Sequence, residues 1–339
     1  MLGYILFFLF VLLVDSIHLS NKRKILLAFF IIFIFTGFRY GIGFDYFTYC
    51  ELMKDYNYST ELIPTIFMNI ARETHFSLFF ILSALWTCSF FAFGLRNNIS
   101  YDSVIFYICM PALLLASMSI VRQCMAYSVI FLIVSNVNMN KIKKIILIFI
   151  AFLCHSSSLI AIFYLFPIHR IKKKMLWILF IASFFCGEAI TKVLLSINSG
   201  NPLIDRLQFY LSGNMGGGTL LRVILYLLTV ASLVYYDRLK QRGYSSYVSI
   251  VCLGCSFYSL FTVNAHLAER TCMFFFPAIL FYIHDLRLLV KMPKLLYNFL
   301  FIVIFSGYVY IAHCGTLENN PFSHLKASLY YPYETVFGK

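Results

Sequence analysis

Long apolar runs recur along almost the whole chain, and they constrain its fold more than any other feature. A run of about 20 apolar residues matches the hydrocarbon thickness of a bilayer. Of the 339 residues, 61% are hydrophobic and only 12% are charged, which leaves too few polar side chains to cover a soluble domain of this length. The sequence therefore predicts an all-α polytopic membrane protein.

The apolar segments predict about ten or eleven transmembrane helices, although several are shorter than a full span. They cover residues 2–17, 25–38, 76–95, 103–118, 120–138, 145–167, 174–195, 220–236, 247–263, 270–287 and 295–313. The sizeable connections are 39–75 and 196–219, and a tail occupies 314–339. Because no internal repeat or linker interrupts the pattern, we expect residues 1–339 to form a single integral membrane domain.

Short basic clusters between the apolar segments indicate the orientation of the chain. They include NKRK at 21–24, NKIKK at 140–144, HRIKKK at 169–174 and DRLKQR at 237–242, and such clusters are typical of cytoplasmic loops. The net charge of +13 lies in these loops rather than along a basic stripe, which excludes a nucleic-acid-binding surface. The connections 39–75 and 196–219 are then expected to be periplasmic.

Strict alternation from NKRK places HRIKKK outside, so one segment must break the alternation. We predict that 145–167 forms a re-entrant hairpin, because the polar HSSS at 155–158 separates two runs that each span only about half a membrane. The alternative is one spanning helix with a polar kink and a basic loop outside.

With this orientation, polar residues from distant parts of the sequence share the non-cytoplasmic side. Ionisable groups at membrane depth are costly and usually functional. Guanidinium groups bind phosphate oxygens in a bidentate geometry, so several arginines together with tyrosines indicate a site for a sugar carried on a lipid diphosphate. The predicted diphosphate-binding residues are Arg39, Arg122 and Arg270.

Each of these groups also has an ordinary structural explanation. Arg39 can pair with Asp45 in a loop, and Arg122 can extend its charge to the interface. His155 can be a hydrogen-bonded polar tip, whereas Glu269 and its neighbour Arg270 can neutralise each other. The sequence leaves both explanations open.

Five stretches resemble the motifs of EpsG-like membrane proteins. RYGIGFDYFTY at 39–49 resembles their R-x-G-x-G-x-D-Y-x-x-Y stretch, and MSIVRQCMAYSVIFL at 118–132 is similar to their M-S-x-x-R-Q-x-x-A helix. FLCHSSSLIAIFYL at 152–165 resembles F-x-x-H-x-S-x-L-I. AERTCMFFFP at 268–277 and YYPYETVF at 330–337 are similar to a later arginine-bearing helix start and a C-terminal P-Y. Their order and spacing match over nearly the whole chain.

That family includes Wzy-type polymerases of O antigen, capsule and exopolysaccharide. The resemblance implies a GT-C-like glycosyltransferase bundle in the bacterial inner membrane, with its active site facing the periplasm. It implies transfer of a growing chain from undecaprenyl diphosphate onto the sugar of a new undecaprenyl-diphosphate-linked repeat unit. No metal or cofactor is expected, and a chain-length regulator is a candidate partner.

In the mechanism that we expect, the three arginines bind the donor diphosphate and stabilise the leaving group in place of a divalent ion. A base helps the acceptor hydroxyl to attack the anomeric carbon, and Asp45, His155 and Glu269 compete for that role. Asp45 is preferred because FDY places its carboxylate between aromatic residues, where desolvation would make it a stronger base.

A second set of residues is expected to position the sugars. The glycines of the opening motif allow close approach of an anion to the backbone, and aromatic faces stack on pyranose rings. This set consists of Gly41, Gly43, Tyr46, Tyr49, Gln123 and Tyr333.

Two other functions compete with polymerisation. A membrane O-acyltransferase of surface glycans would use His155 as its catalytic residue. A flippase of lipid-linked glycans would be expected to show inverted or parallel repeats, and the sequence shows none.

Overall fold

The computed structural model describes residues 2–56, 58, 60–98, 100–196, 208, 219–262, 264–319 and 333–338. Most of these residues are α-helical. The α-helices are α1 (Leu2–Ser16), α2 (Asn21–Gly37), α3 (Tyr46–Lys54), α4 (Leu62–Glu73), α5 (Ser77–Leu95), α6 (Asp102–Cys109), α7 (Leu114–Ser119), α8 (Val121–Ser135), α9 (Lys141–Cys154), α10 (Lys173–Ser196), α11 (Thr219–Val234), α12 (Tyr236–Gln241), α13 (Ser245–Leu260), α14 (Ala265–Cys272), α15 (Ile283–Leu289) and α16 (Lys294–Asn319). The 3-10 helices are Ser156–Leu165, Ile168–Arg170, Phe276–Phe281 and Val336–Gly338, and the strands are β1 (Arg39–Tyr40) and β2 (Glu334–Thr335).

Two of the described helices are long and apolar enough to cross a membrane alone, namely Ser77–Leu95 and Lys173–Val193. A third span results if α15 and the first part of α16, which meet at a bend of 119°, act as one broken span. Other apolar helices, such as α8, are shorter. The described residues confirm an all-α membrane protein, while the ten or eleven spans and the GT-C-like bundle stay predictions.

The predicted loop 39–75 contains two helices, α3 and α4. Helix α4 has apolar residues on one face and packs against α5 and α9, so the segment is a structured layer rather than an extended connection. Most of the predicted loop 196–219 lies outside the described residues. The same holds for residues 320–332 of the predicted tail 314–339, whose first part continues helix α16.

Several predicted helices are broken inside the chain. The segment 103–118 divides into α6 and α7 because Pro111 has no N–H to donate and disfavours a helical conformation at Met110, which is extended (ψ 112°). The backbone breaks again at Ile120 (ψ 59°), between α7 and α8. Helix α9 ends before His155, which is extended (φ −164°, ψ 128°). This break coincides with the predicted polar tip, but the re-entrant path of 145–167 stays a prediction.

The chain divides into two compact units, residues 1–159 with 291–339 and residues 160–290. In the first unit, aromatic rings interlock between α5 and α8, where Phe91 stacks on Phe131 with centroids 4.5 Å apart. In the second unit, the Tyr164 ring stacks on Phe275 and its hydroxyl donates to a main-chain carbonyl. Burial of such large rings supplies much of the packing energy in a core. The prediction of a single membrane domain stays a prediction.

Candidate active site

The C-terminal motif lies directly against the opening motif. Strand β2 pairs antiparallel with β1, with Arg39 opposite Thr335, and the Val336 N–H donates to the Phe38 carbonyl at 3.0 Å. The Tyr333 ring stacks on Phe35 of α2 at 4.2 Å, and its hydroxyl donates to the Phe35 carbonyl. Tyr333 thus holds the described end of the chain onto α2, beside the motif that the sequence predicts to be functional.

Arg39 is almost completely buried, with 1% of its surface exposed. Its Nε donates to the Ile42 carbonyl and its Nη2 to the Met118 carbonyl, each at 3.0 Å, while Nη1 donates to the Thr36 carbonyl. The guanidinium also lies over the Phe80 ring, 4.9 Å from its centroid. Burial lowers the pKa of Arg39 to about 10, so the group is still charged at neutral pH. Arg39 therefore joins the end of α2, its own loop and the end of α7.

The two glycines of this loop have positive φ angles, 62° at Gly41 and 102° at Gly43. A Cβ atom on Gly43 would lie 2.0 Å from the Met118 carbonyl oxygen, and the neighbouring Phe44 N–H donates to the Ser119 hydroxyl at 3.1 Å. Gly43 is required here because the loop packs directly on the backbone at the α7–α8 break. Gly43 thus makes a close approach to the protein's own backbone, and the predicted approach of an anion to these glycines stays a prediction.

We expect Gly43→Ala to destabilise the protein more than Gly243→Ala. Both glycines have positive φ (102° and 87°), so alanine is strained by roughly 1–3 kcal/mol at either position. Only the Gly43 variant adds a clash, because a Cβ on Gly243 meets nothing within 4 Å. Overpacking costs a further ~1–3 kcal/mol. Thermal unfolding of the detergent-purified variants measures the difference, and equal losses would contradict the loop packing described here.

Arg122 and Glu61 form an ion pair at the second motif. Arg122 Nη1 lies 3.0 Å from Glu61 Oε2 and also donates to the Thr60 hydroxyl. The other carboxylate oxygen of Glu61 accepts the Ser156 N–H at 3.1 Å. The two side chains are 21% and 19% exposed. Glu61 thereby connects the start of α8 to the HSSS segment that follows α9.

Hydrogen bonds hold the Glu61 carboxylate in its charged form. Burial alone raises its pKa, but bonds from the Thr60 hydroxyl and from the main-chain N–H groups of Glu61 and Ser156, together with the charge of His155, outweigh burial and lower the pKa to about 2. Glu61 is therefore a fixed anion at physiological pH and a poor proton acceptor. Its role in this cluster is to orient Arg122.

We expect the stabilisation from Glu61 to disappear in acid. Because its folded pKa of about 2 lies below the ordinary value of 4.5, this contribution is complete above pH 4.5 and is lost as the pH falls toward 2. The shift corresponds to at most roughly 3 kcal/mol. Glu61→Gln should lower the melting temperature at pH 7, and its difference from the wild type should narrow below pH 4.5. Glu51→Gln, an exposed residue paired with Lys54, is the control; a pH-independent difference for Glu61→Gln would refute the depressed pKa.

One N–H donor of Arg122 has no hydrogen-bond acceptor within the described structure. Its Nε is buried and has no hydrogen-bond partner there, although an unpaired buried N–H normally costs about 1–3 kcal/mol. The guanidinium carbon lies 5.9 Å from the centroid of the Tyr49 ring. Burial raises the pKa of Tyr49 to about 12 although the charge of Arg122 lowers it, so the Tyr49 hydroxyl stays protonated. Arg122 thus holds an oriented, unsatisfied donor beside a neutral phenol.

The other predicted residues of the first unit lie around these two arginines. Asp45 precedes α3 and is half-buried, and its carboxylate makes no capping bond to that helix although it has other contacts. Tyr46 stacks on Phe80 at 4.1 Å, and Gln123 is buried beside Arg122. His155 Nδ1 lies 2.7 Å from the Ser157 hydroxyl. The catalytic and sugar-positioning roles of these residues stay predictions.

Glu269 and Arg270 belong to helix α14 of the second unit, so their predicted roles rest on the sequence motif. Among the described residues, no group of three or more His, Cys, Asp or Glu side chains could hold a metal ion.

Sequence reasoning missed Glu61, because it precedes Arg122 by many residues and lies within a segment predicted to be a loop. Two signals point to it in retrospect. The chain has only 14 acidic residues against 27 basic ones, and Glu61 stands just before a helix whose apolar residues share one face. An arginine at membrane depth usually has a counter-charge, and for Arg122 that charge comes from Glu61, which lies outside the five motifs.

The model of the EpsG family matches residues 22–335, which is nearly the whole chain. The protein therefore belongs to the EpsG family, and the resemblance inferred from the five motifs is confirmed. No curated protein and no solved structure matches the chain.

Proposed function

We propose that this EpsG-family protein polymerises lipid-linked polysaccharide repeat units. It transfers the growing chain from undecaprenyl diphosphate onto the sugar of a new undecaprenyl-diphosphate-linked unit. Membership of a family of polysaccharide polymerases and the apolar helices support this function. The side on which the loop charges place the motifs supports an active site facing the periplasm of the inner membrane.

The observation that carries the proposal is the unsatisfied Nε–H of Arg122. A phosphate oxygen of the donor accepts this N–H, and the positive charge stabilises the diphosphate as it leaves. Glu61 keeps the guanidinium in place through Nη1, at 3.0 Å, so the donor meets an arginine that is already oriented. Preorganised charge of this kind costs little reorganisation during the reaction.

Arg39 contributes to the same site by positioning the loop next to it. Its three hydrogen bonds to main-chain carbonyls hold the loop that carries Asp45 against the break between α7 and α8. Arg122 follows this break directly in the sequence. We assign it to positioning, because a diphosphate would have to displace one of those carbonyls to reach its nearly unexposed guanidinium. Arg270 is proposed as a further diphosphate ligand on the strength of its motif.

The transfer itself is a single displacement. The acceptor hydroxyl oxygen forms a bond to the anomeric carbon while the bond from that carbon to the diphosphate oxygen breaks, and undecaprenyl diphosphate leaves with the electron pair. The hydroxyl proton passes to the Asp45 carboxylate, and the anomeric configuration inverts. His155 and Glu269 are the alternative bases. Gly41, Gly43, Tyr46, Tyr49, Gln123 and Tyr333 shape the surroundings of the two substrates.

Reconstitution tests this function directly. The purified protein in lipid nanodiscs is given a defined undecaprenyl-diphosphate-linked repeat unit, and the products are separated by size. We expect a ladder of chains that grow by whole repeat units, together with released undecaprenyl diphosphate. Single units that remain unextended, or acyl groups transferred from an acyl donor without elongation, would refute polymerisation. Movement of the unit across a vesicle membrane without elongation would identify a flippase.

A further inference from the structure

A groove of about 370 Å³ lies between α2 and α5 in the first unit. The two helices pack antiparallel, because the rings of Phe29 and Phe91 are parallel with centroids 6.2 Å apart, whereas Gly37 packs on Ala84. The start of α2 therefore lies beside the end of α5. Helix α5 is long and apolar enough to cross a membrane alone, so the groove runs along a helix of membrane-spanning length.

The walls of this α2–α5 groove are apolar and open to the surroundings. Leu26 and Phe30 of α2 and Leu85 and Phe93 of α5 line it, and all four side chains are exposed. In a membrane, the neighbours of such side chains are acyl chains, which are equally apolar. The volume of the groove lies within the range of clefts that hold small molecules. The groove is thus suited to an acyl chain.

Two cationic residues line the groove at the end where α2 begins. Lys22 lies in the first turn of α2, and Arg96 directly follows the last residue of α5. The Arg96 guanidinium lies over the Phe93 ring, 3.6 Å from its centroid, and this contact holds the charge at the groove. The loop charges predict that this end is cytoplasmic.

Neither Lys22 nor Arg96 pairs with an acidic side chain within the part of the chain that the structure describes. Ion pairs of the first unit involve other cations, namely Lys54, Arg122 and Lys294. Among the described residues that line the groove, none is aspartate or glutamate. An apolar groove with two cations at one end is complementary to a lipid that has an anionic headgroup and an apolar tail.

We infer that the α2–α5 groove binds an anionic glycerophospholipid, with the phosphate on Lys22 and Arg96 and one acyl chain along the groove. The Lys22 ammonium and the Arg96 guanidinium donate hydrogen bonds to the phosphate oxygens. Anionic lipids give the cytoplasmic leaflet its negative surface potential and are attracted to basic residues at the membrane surface. This site lies entirely within the first unit and is independent of the polymerase activity.

Photolabelling in nanodiscs tests this site. The full-length protein is placed in phosphatidylcholine nanodiscs with a small fraction of phosphatidylglycerol that carries a photoreactive acyl chain, and labelled peptides are identified by mass spectrometry. We expect label on residues 25–33 and 85–93, and less from a phosphatidylcholine probe with the same chain. Lys22→Gln and Arg96→Gln should each lower this labelling roughly 5- to 100-fold. Ser89→Phe should lower it too, because this exposed residue lines the groove and the new ring fills it without changing the charge.

Arg23→Gln is the matched control, because Arg23 is exposed in the same turn of α2 as Lys22 but does not line the groove. It should leave the labelling unchanged. The melting temperatures of Lys22→Gln, Arg23→Gln and Ser89→Phe should stay close to that of the wild type, because all three residues are exposed. A loss of labelling then reports on the lipid rather than on the fold.

Four other outcomes would each overturn the inference. An equal loss in Arg23→Gln would show diffuse attraction to the basic loop, and equal labelling by the two probes would show an apolar surface without headgroup selectivity. Unchanged labelling in Lys22→Gln and Arg96→Gln, or in Ser89→Phe, would place the lipid elsewhere. Displacement of the label by undecaprenyl diphosphate at a lower concentration than by unlabelled phosphatidylglycerol would assign the groove to the lipid carrier.

Discussion

Arg122→Lys should slow chain extension in the reconstituted assay roughly 10- to 100-fold while the protein remains folded. Lysine keeps the positive charge, and its ammonium can still pair with Glu61, which lies 3.0 Å from the arginine Nη1. It cannot supply the buried Nε–H together with the Nη1 bond, so the phosphate loses its oriented donor. Loss of a charge-assisted hydrogen bond in the transition state typically lowers the rate roughly 10- to 100-fold. The initial rate of ladder formation measures the effect.

Arg23→Lys is the matched control for this variant. Arg23 is exposed at the start of α2 in the same unit, and its replacement should leave the ladder unchanged. The melting temperature of Arg122→Lys should stay close to that of the wild type, because the pair with Glu61 is kept in modified form. A wild-type rate of extension for Arg122→Lys would show that Arg122 has only a structural role. A large loss of stability with a proportional loss of rate would show the same.

Some features of this site can be predicted from the sequence, and others cannot. The motif RYGIGFDY marks the opening loop as a candidate functional segment, and the family match covers this loop. What Arg39 does there depends on three carbonyl oxygens, one of them on Met118 at the end of α7. Where a helix ends, its last main-chain carbonyls have no partner within the helix and can accept hydrogen bonds from other segments. Hydrophobic periodicity does not predict which segment supplies the donor.

The helix breaks illustrate the same limit. The break at Pro111 is readable from the sequence, because proline disrupts a helix interior, yet the apolar run 103–118 hides it. The break at Ile120 has no such residue, and the packed Gly43 loop lies against the backbone on its α7 side. The polar HSSS segment did predict the break after α9, because polar residues interrupt the apolar run there. Local composition thus predicts a helix break that a proline or a polar run causes. It does not predict a helix break that tertiary packing causes.

The pairing of the opening motif with the C-terminal motif was also beyond sequence reasoning. The ring and hydroxyl of Tyr333 contact Phe35, a contact that the sequence does not indicate, and the sugar-positioning role of Tyr333 stays a prediction. The β1–β2 pair involves only two residues of each strand, too few for a recognisable strand pattern. The strand pair holds the described C-terminal residues against the loop that carries Arg39 and Asp45. The opening motif and the C-terminal motif therefore belong to one local structure.

Asp45→Asn should stop polymerisation in a protein that still binds both lipid-linked substrates. Asparagine keeps the size of aspartate and one acceptor oxygen but cannot take up the proton of the acceptor hydroxyl. Loss of general-base catalysis lowers rates by about 10²- to 10⁴-fold. The carboxylate makes no capping bond to α3, so the substitution should leave the helix start intact. Rate and lipid binding are measured on the same preparation, which separates catalysis from substrate affinity.

Asp55→Asn gives the matched control, because Asp55 is exposed at the other end of α3. It should extend chains at the wild-type rate, whereas His155→Gln and Glu269→Gln should retain measurable extension. A wild-type rate for Asp45→Asn with an inactive His155→Gln would assign the base to His155, which lies next to Ser156 and thus beside the Glu61–Arg122 pair. The proton would then be accepted next to the arginine that binds the leaving diphosphate, and the opening loop would only position the substrates. We propose Asp45 as the base because it lies in a different loop from the Arg122 pair, and the acceptor hydroxyl must attack the anomeric carbon from the face opposite the diphosphate.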